Sequence, residues 1–157
     1  MVIIHKPVAG VSAQALARFA QRARRAAGLQ GKVNLVLASS REVRALNRRF
    51  RGKDKATDVL SFPPVPALTR DFAGDIVISS DLASTNARRY HHAPAQEVKV
   101  LVLHGVLHLA GYDHERDAGR MARREERLRR ELGLSDGLIR RASAAAGSRA
   151  SSRARTR

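Results

Sequence analysis

Apolar positions recur along this chain with two periods, and the switches between them mark its elements. Val2, Ile3 and Ile4 form a short β-branched run that predicts a strand over 2–5. Leu16, Phe19, Ala20, Ala23 and Ala27 then share one helical face, with Ser12 in capping position and Gly28 as the stop. "KVNLVLAS" alternates Val33, Leu35 and Leu37 with its neighbours and predicts a second strand. "SSREVRALNRRF" sets Ser39 and Glu42 at capping-box spacing and places Val43, Leu46 and Phe50 on one face of a second helix. "TDVLSFP" and "GDIVISSD" read as two more strands. About a dozen Pro-containing residues separate them, too few for a helical crossover, so an antiparallel return is expected there. The first three strands, joined through helices, are expected to be parallel. A third helix is predicted over 81–90. Pro94 starts a fourth and Gly111 stops it. Its "EVKVLVLHGVLHLA" is apolar nearly all round, the signature of a buried helix. Asp117 is positioned to cap a fifth, with Ala118, Met121, Ala122, Leu128 and Leu132 inward, "RREERLRR" outward and Gly133 as its end.

The expected fold is therefore α+β: a mixed four-stranded sheet with one antiparallel strand, packed with about five helices. A chain of 157 residues suits one domain, expected over 1–141. Beyond it, 142–157 is rich in Ala, Ser and Arg and lacks the apolar content for a core, so a disordered basic tail is expected. Composition narrows the chemistry. With no cysteine, Fe–S clusters, cysteine-ligated zinc and thiol nucleophiles are excluded. The opening apolar run ends at Lys6-Pro7, so no signal peptide is expected, and no stretch approaches the ~18 apolar residues of a membrane span. A cytoplasmic protein with no membrane partner is expected. Thirty Lys and Arg against fourteen Asp and Glu give a net charge of +16, which favours a polyanionic partner. Six of the arginines lie beyond Gly137, and the remainder of the chain is still strongly basic.

Three of the six histidines fall in "LHGVLHLAGYDHE". His104 and His108 are i and i+4 on the buried helix and project from one side. Gly111 breaks the helix and lets the chain fold back, which brings His114 toward the same point. One buried histidine is more often a hydrogen-bonded core residue than a ligand, but three unpaired imidazoles are costly to bury without a common partner. The spacing points to one Zn²⁺ held by His104, His108 and His114, with water in the fourth position of a catalytic site. Zinc peptidases carry a glutamate base directly after the first ligand, in H-E-x-x-H. Here that position is Gly105, so a similar scaffold with different chemistry is expected. Asp113 or Glu115 is placed to orient a ligand imidazole, and the sequence does not choose between them. His5, His91 and His92 are read as surface residues.

"RRFRGKDKATDVLSFP" carries five cations before its strand. A turn at Gly52 would aim Arg51, Lys53 and Lys55 into one cleft, and the planar fork of Arg suits phosphate. With "GDIVIS" and "HGVLHLAGYDH" in this order and spacing, the chain resembles the YbeY family of bacterial metal-dependent endoribonucleases over roughly Val33 to Leu132. The resemblance implies a zinc-peptidase-like scaffold, metal ligation by His104, His108 and His114, and a catalytic role for Arg51. It also implies single-strand-specific cleavage in 16S rRNA 3′-end maturation and ribosome quality control, in contact with the ribosome or its assembly factors. One departure is Ala56, where the family usually has Pro. Six aromatic residues in all offer little for base stacking, so recognition is expected to rest on phosphate contacts and to be salt-sensitive. Two other readings stay open: a zinc peptidase or amidohydrolase, which Gly105 opposes, and a non-catalytic RNA-binding assembly factor with a structural metal.

Overall fold

The elements form where the local signals lie. The computed structural model describes residues 1–65 and 71–134. In chain order they build β1 (Val2–Ile4), α1 (Ala13–Ala26), β2 (Lys32–Ala38), α2 (Ser40–Arg51), β3 (Val59–Phe62), β4 (Phe72–Ser79), α3 (Ser80–Arg89), α4 (Pro94–Leu109) and α5 (Arg120–Glu131). Ser12, Ser39 and Ser79 each cap a helix by accepting a backbone N–H three residues on, which satisfies a donor that the helix itself leaves unpaired. The expected tail at 142–157 and the boundary before it lie outside the described residues.

The sheet has the order β1-β2-β4-β3. β1, β2 and β4 are parallel and β3 is antiparallel to β4. The mixed α+β fold is as expected, but the odd strand is β3, not β4. A helix between two strands does not by itself fix their relative direction. α2, with 12 residues, carries the chain back about 18 Å. The seven residues 52–58 reach up to about 23 Å and undo that return. β3 therefore starts beside the end of β4, where the Asp58 carbonyl accepts the Ser79 N–H at 2.9 Å.

Each face of the sheet has its own core. Leu35, Leu37, Ile76 and Ile78 point to one side and pack with α1, α4 and α5 through Leu16, Phe19, Leu101, Leu103, Met121 and Leu128. Ala38, Leu60 and Val77 point to the other side, under Val43 of α2. α4 is the central helix of the larger core, and its residues from Val100 to Leu107 are all buried. Gly105 sits where α4 crosses β4. A Cβ there would come within 2.9 Å of Ile76, itself fully buried, so the glycine permits the close approach.

Two local expectations fail. Phe50 shares the face of Val43 and Leu46 yet is exposed: it lies in the last turn of α2, where its ring meets that of Phe62, the final residue of edge strand β3. α5 begins at Arg120, later than Asp117, and Ala118 lies exposed in a left-handed turn (φ 54°). The Asp117 carboxylate still accepts the Met121 N–H at 2.8 Å.

Candidate metal centre and basic cleft

α4 ends at Leu109, and Gly111 then adopts φ +97°, a conformation that lets the chain turn sharply back. The turn returns His114 to the two histidines of the helix. The ring centroids are 4.7 Å apart for 104 and 108, 5.7 Å for 104 and 114, and 5.6 Å for 108 and 114. One ring nitrogen from each lies within 4.8 Å of the other two. The Nε2 atoms of His104 and His108 are 3.1 Å apart. Tetrahedral nitrogen ligation at about 2.0–2.1 Å would separate two donors by roughly 3.3 Å, so the pair is spaced for one small cation. The donors suit such an ion: three imidazoles, two of them from one buried helix, with converging ring nitrogens.

Burial and charge prepare these rings. The His108 pKa is lowered to about 4, first by burial and then by the neighbouring charges of His104 and His114. The ring is thus neutral at pH 7, with a lone pair free for a metal. His104 is fixed from behind, its Nδ1 lying 2.8 Å from Oε2 of Glu125 on α5. Glu125 is only 2% exposed. That hydrogen bond places the Nδ1 proton toward the carboxylate and turns Nε2 toward the other histidines.

The orienting carboxylate is therefore Glu125, not Asp113 or Glu115. Asp113 closes its own turn by accepting the Glu115 N–H at 3.1 Å, and both acids are exposed on the rim. Sequence reading placed "RREERLRR" outward and missed Glu125. The signal was present, since 125 lies four residues after Met121 and three before Leu128, on the buried face of α5. His92 is a second correction. It sits in the loop before α4, but its Nε2 turns inward to Glu97, 2.7 Å away and fully buried. Asn86 links Glu97 to Asp58, at 3.4 and 3.2 Å. Burial pushes the Asp58 carboxyl above its ordinary range, with His104 opposing. His5 is a surface residue, paired with Glu42 at 3.0 Å, and His91 is exposed.

The histidines open on a cleft of about 490 Å³ whose other wall carries Arg51, Lys53 and Lys55. Gly52 ends α2 in the left-handed conformation (φ 67°) and turns the chain toward the cleft. Asn47, buried and not singled out by the sequence, then holds the turn: its Nδ2 donates to the Lys55 carbonyl at 3.1 Å. Arg44 pins the outside of the same turn through Asp54 at 2.9 Å and holds that carboxyl below its usual range. Arg51 donates from Nη2 to the Ser61 carbonyl on β3, and the Ser61 hydroxyl donates to the Gly105 carbonyl at 3.2 Å. One chain of contacts thus ties the arginine wall to the histidine helix.

Fold and site together define a class: α+β proteins in which three imidazoles, two from a buried helix, open on a cleft walled by basic residues. A family model described as Endoribonuclease YbeY matches residues 4–133. A protein of that name from Koribacter versatilis is 55% identical over 141 residues, covering 90% of this chain and 91% of its own. Another, from Solibacter usitatus, is 48% identical over 128 residues, covering 81% and 84%. The solution structure of TM1509 from Thermotoga maritima superposes with a TM-score of 0.58 at 29% identity, over 84% of this chain and 89% of that one. The chain belongs to the YbeY endoribonuclease family.

Proposed function

We propose that this protein is a zinc-dependent endoribonuclease that cuts single-stranded RNA, with small-subunit rRNA precursor as its substrate and the ribosome or its assembly factors as partners. The reading rests above all on one observation: three histidine nitrogens converge in the same cleft as Arg51, Lys53 and Lys55. Membership in the family supports the substrate, the 16S 3′ end and a place in ribosome quality control. A cytoplasmic location follows from that substrate, and among the described residues no helix is long and apolar enough to cross a membrane.

His104, His108 and His114 would hold the ion, and bound Zn²⁺ supplies Lewis-acid polarisation of a phosphoryl oxygen. Glu125 keeps His104 in the tautomer that can ligate. Arg51, braced on the Ser61 carbonyl, has further N–H donors for the phosphate and offsets the charge that grows in the phosphoryl transition state. Lys53 and Lys55 bind flanking phosphates as point charges. The peptidase alternative is opposed by packing as well as by sequence: a glutamate at 105 would run into Ile76 of the sheet.

The test is metal content measured together with cleavage of an rRNA precursor and of an unstructured polypeptide, each with and without chelator. The expected result is about one divalent cation per chain and chelator-sensitive cutting of RNA alone. RNA cleavage that survives complete removal of the metal overturns the reading. A His108→Ala protein that keeps its fold and RNA binding but cuts nothing excludes a purely structural ion.

A further inference from the structure

The basic wall ends in an aromatic that the metal centre does not use. Phe50, in the last turn of α2, is 58% exposed. Its ring meets that of Phe62 edge-on, centroids 5.7 Å apart and planes at 71°. The Arg49 guanidinium lies 5.2 Å from the Phe50 centroid. The Arg51 guanidinium lies 5.8 Å from that of Phe62, and Arg51 also lines the cleft. Two of the chain's four phenylalanines thus stand beside the proposed phosphate-binding arginine, flanked by two cations. An edge-to-face pair braces both rings. Leaving Phe50 in water forfeits its burial, which calls for a ligand with a flat apolar face. Arg49 against one ring and Arg51 against the other call for that ligand to be anionic.

We propose that Phe50, braced by Phe62, is a stacking platform at the rim of the cleft for one unpaired nucleobase of single-stranded RNA, next to the phosphate held by Arg51. The assignment rests on the endoribonuclease reading and deepens it. Aromatic stacking tolerates any base but requires it to be free of its own helix, so the platform selects single strands without reading sequence. The expectation from composition, that stacking plays little part, is thereby revised: few aromatics suffice when two are placed together.

The test is binding of the full-length, metal-loaded protein to a short 2′-O-methyl RNA, read by fluorescence anisotropy across a salt series. One base of the oligonucleotide is replaced by 2-aminopurine, or by an abasic site. Stacking predicts quenching of the 2-aminopurine at one position of the strand and weaker binding of the matching abasic oligonucleotide. Phe50→Ala should weaken binding about tenfold, abolish the quench and leave the salt slope unchanged, because no phosphate contact is lost. Phe50→Tyr should restore binding and quench; Phe50→Leu should restore neither. Circular dichroism of each variant should match the unaltered protein, the side chain being exposed. Unchanged affinity and quench in Phe50→Ala overturn the platform and leave the nuclease reading standing. Failure of the unaltered protein to bind any single strand overturns both.

Discussion

α4 buries ten of its sixteen residues and carries two of the three histidines, whereas α2, at the other wall of the cleft, buries Val43 and Asn47 and carries Arg51 on an exposed last turn. The histidine wall is held by the larger core, the basic wall by hydrogen bonds to a turn. Zinc-type ligation needs donors fixed to within a few tenths of an ångström, and a buried helix supplies that. Phosphate binding needs charge and reach in contact with water, and a surface turn supplies that. The difference teaches where stability and function should separate. Substitutions in the buried packing behind the histidines should disturb both, and substitutions in the basic wall should disturb function alone.

The strongest break of that contrast is Gly105→Glu, which writes H-E-x-x-H into the chain. If only the missing base kept this scaffold from peptide hydrolysis, the variant would fold and cleave polypeptide. Packing says otherwise. The new side chain begins within 2.9 Å of Ile76 and brings a charge into a buried position. Overpacking and an unpaired buried carboxylate together should cost about 4 kcal/mol or more. Chemical denaturation is the measurement, and a variant of near-native stability would show that α4 is not packed as described.

Arg51→Ala tests the opposite wall. Loss of one donor to a developing anion should lower the cleavage rate roughly 10²–10³-fold. Folding stability should change by about 1 kcal/mol or less, since the side chain is exposed and gives up one bond to the Ser61 carbonyl. A drop in stability as large as the drop in transition-state stabilisation would move Arg51 from chemistry to architecture. Glu125→Gln sharpens the histidine side. The amide keeps the shape but presents a neutral partner to His104, so metal affinity should fall about 10- to 100-fold. Competition with a chromogenic chelator reads this directly, and unchanged affinity would remove Glu125 from the site.

Much of this division is legible in the sequence, and what is not has physical reasons. The i, i+4 histidines, the Gly turn and the third histidine sit on one short segment, so their convergence follows from helix geometry and one sharp bend. Arg51, Lys53 and Lys55 share a turn for the same reason. Glu125 is 21 residues from His104, and only the packing of α5 on α4 joins them. Its burial runs against the expectation for a carboxylate, although the period of Met121 and Leu128 marked the position. The direction of β3 is not legible in the sequence because a loop, with no periodicity of its own, decides it. Phe50 obeyed its helical period and still ended in solvent, because period fixes a face but not whether anything lies opposite.

The smallest effect concerns the seam behind the basic wall, where α2 meets α3. Asp81, in the first turn of α3, accepts the Ser40 N–H at the start of α2 at 2.7 Å and pairs with Lys6. The Lys6 hydrogen bond, aided by the Ser40 N–H, holds its carboxyl below the ordinary value of 3.8. A carboxyl more acidic folded than unfolded stabilises the fold at pH values above the unfolded pKa, and the contribution fades as pH falls through the depressed folded value. Asp81→Asn should therefore cost at most about 1 kcal/mol at pH 7, as expected for an exposed ion pair, and should cost nothing once the pH is below both values. The two unfolding curves should converge as acid is added, from pH 5 to about 2. RNA cleavage at pH 7 should not change, because neither Asp81 nor Ser40 lines the cleft. Curves that stay parallel across that range would mean that the side chain acts through shape and not through charge, and the seam would then belong to packing, like the histidine wall.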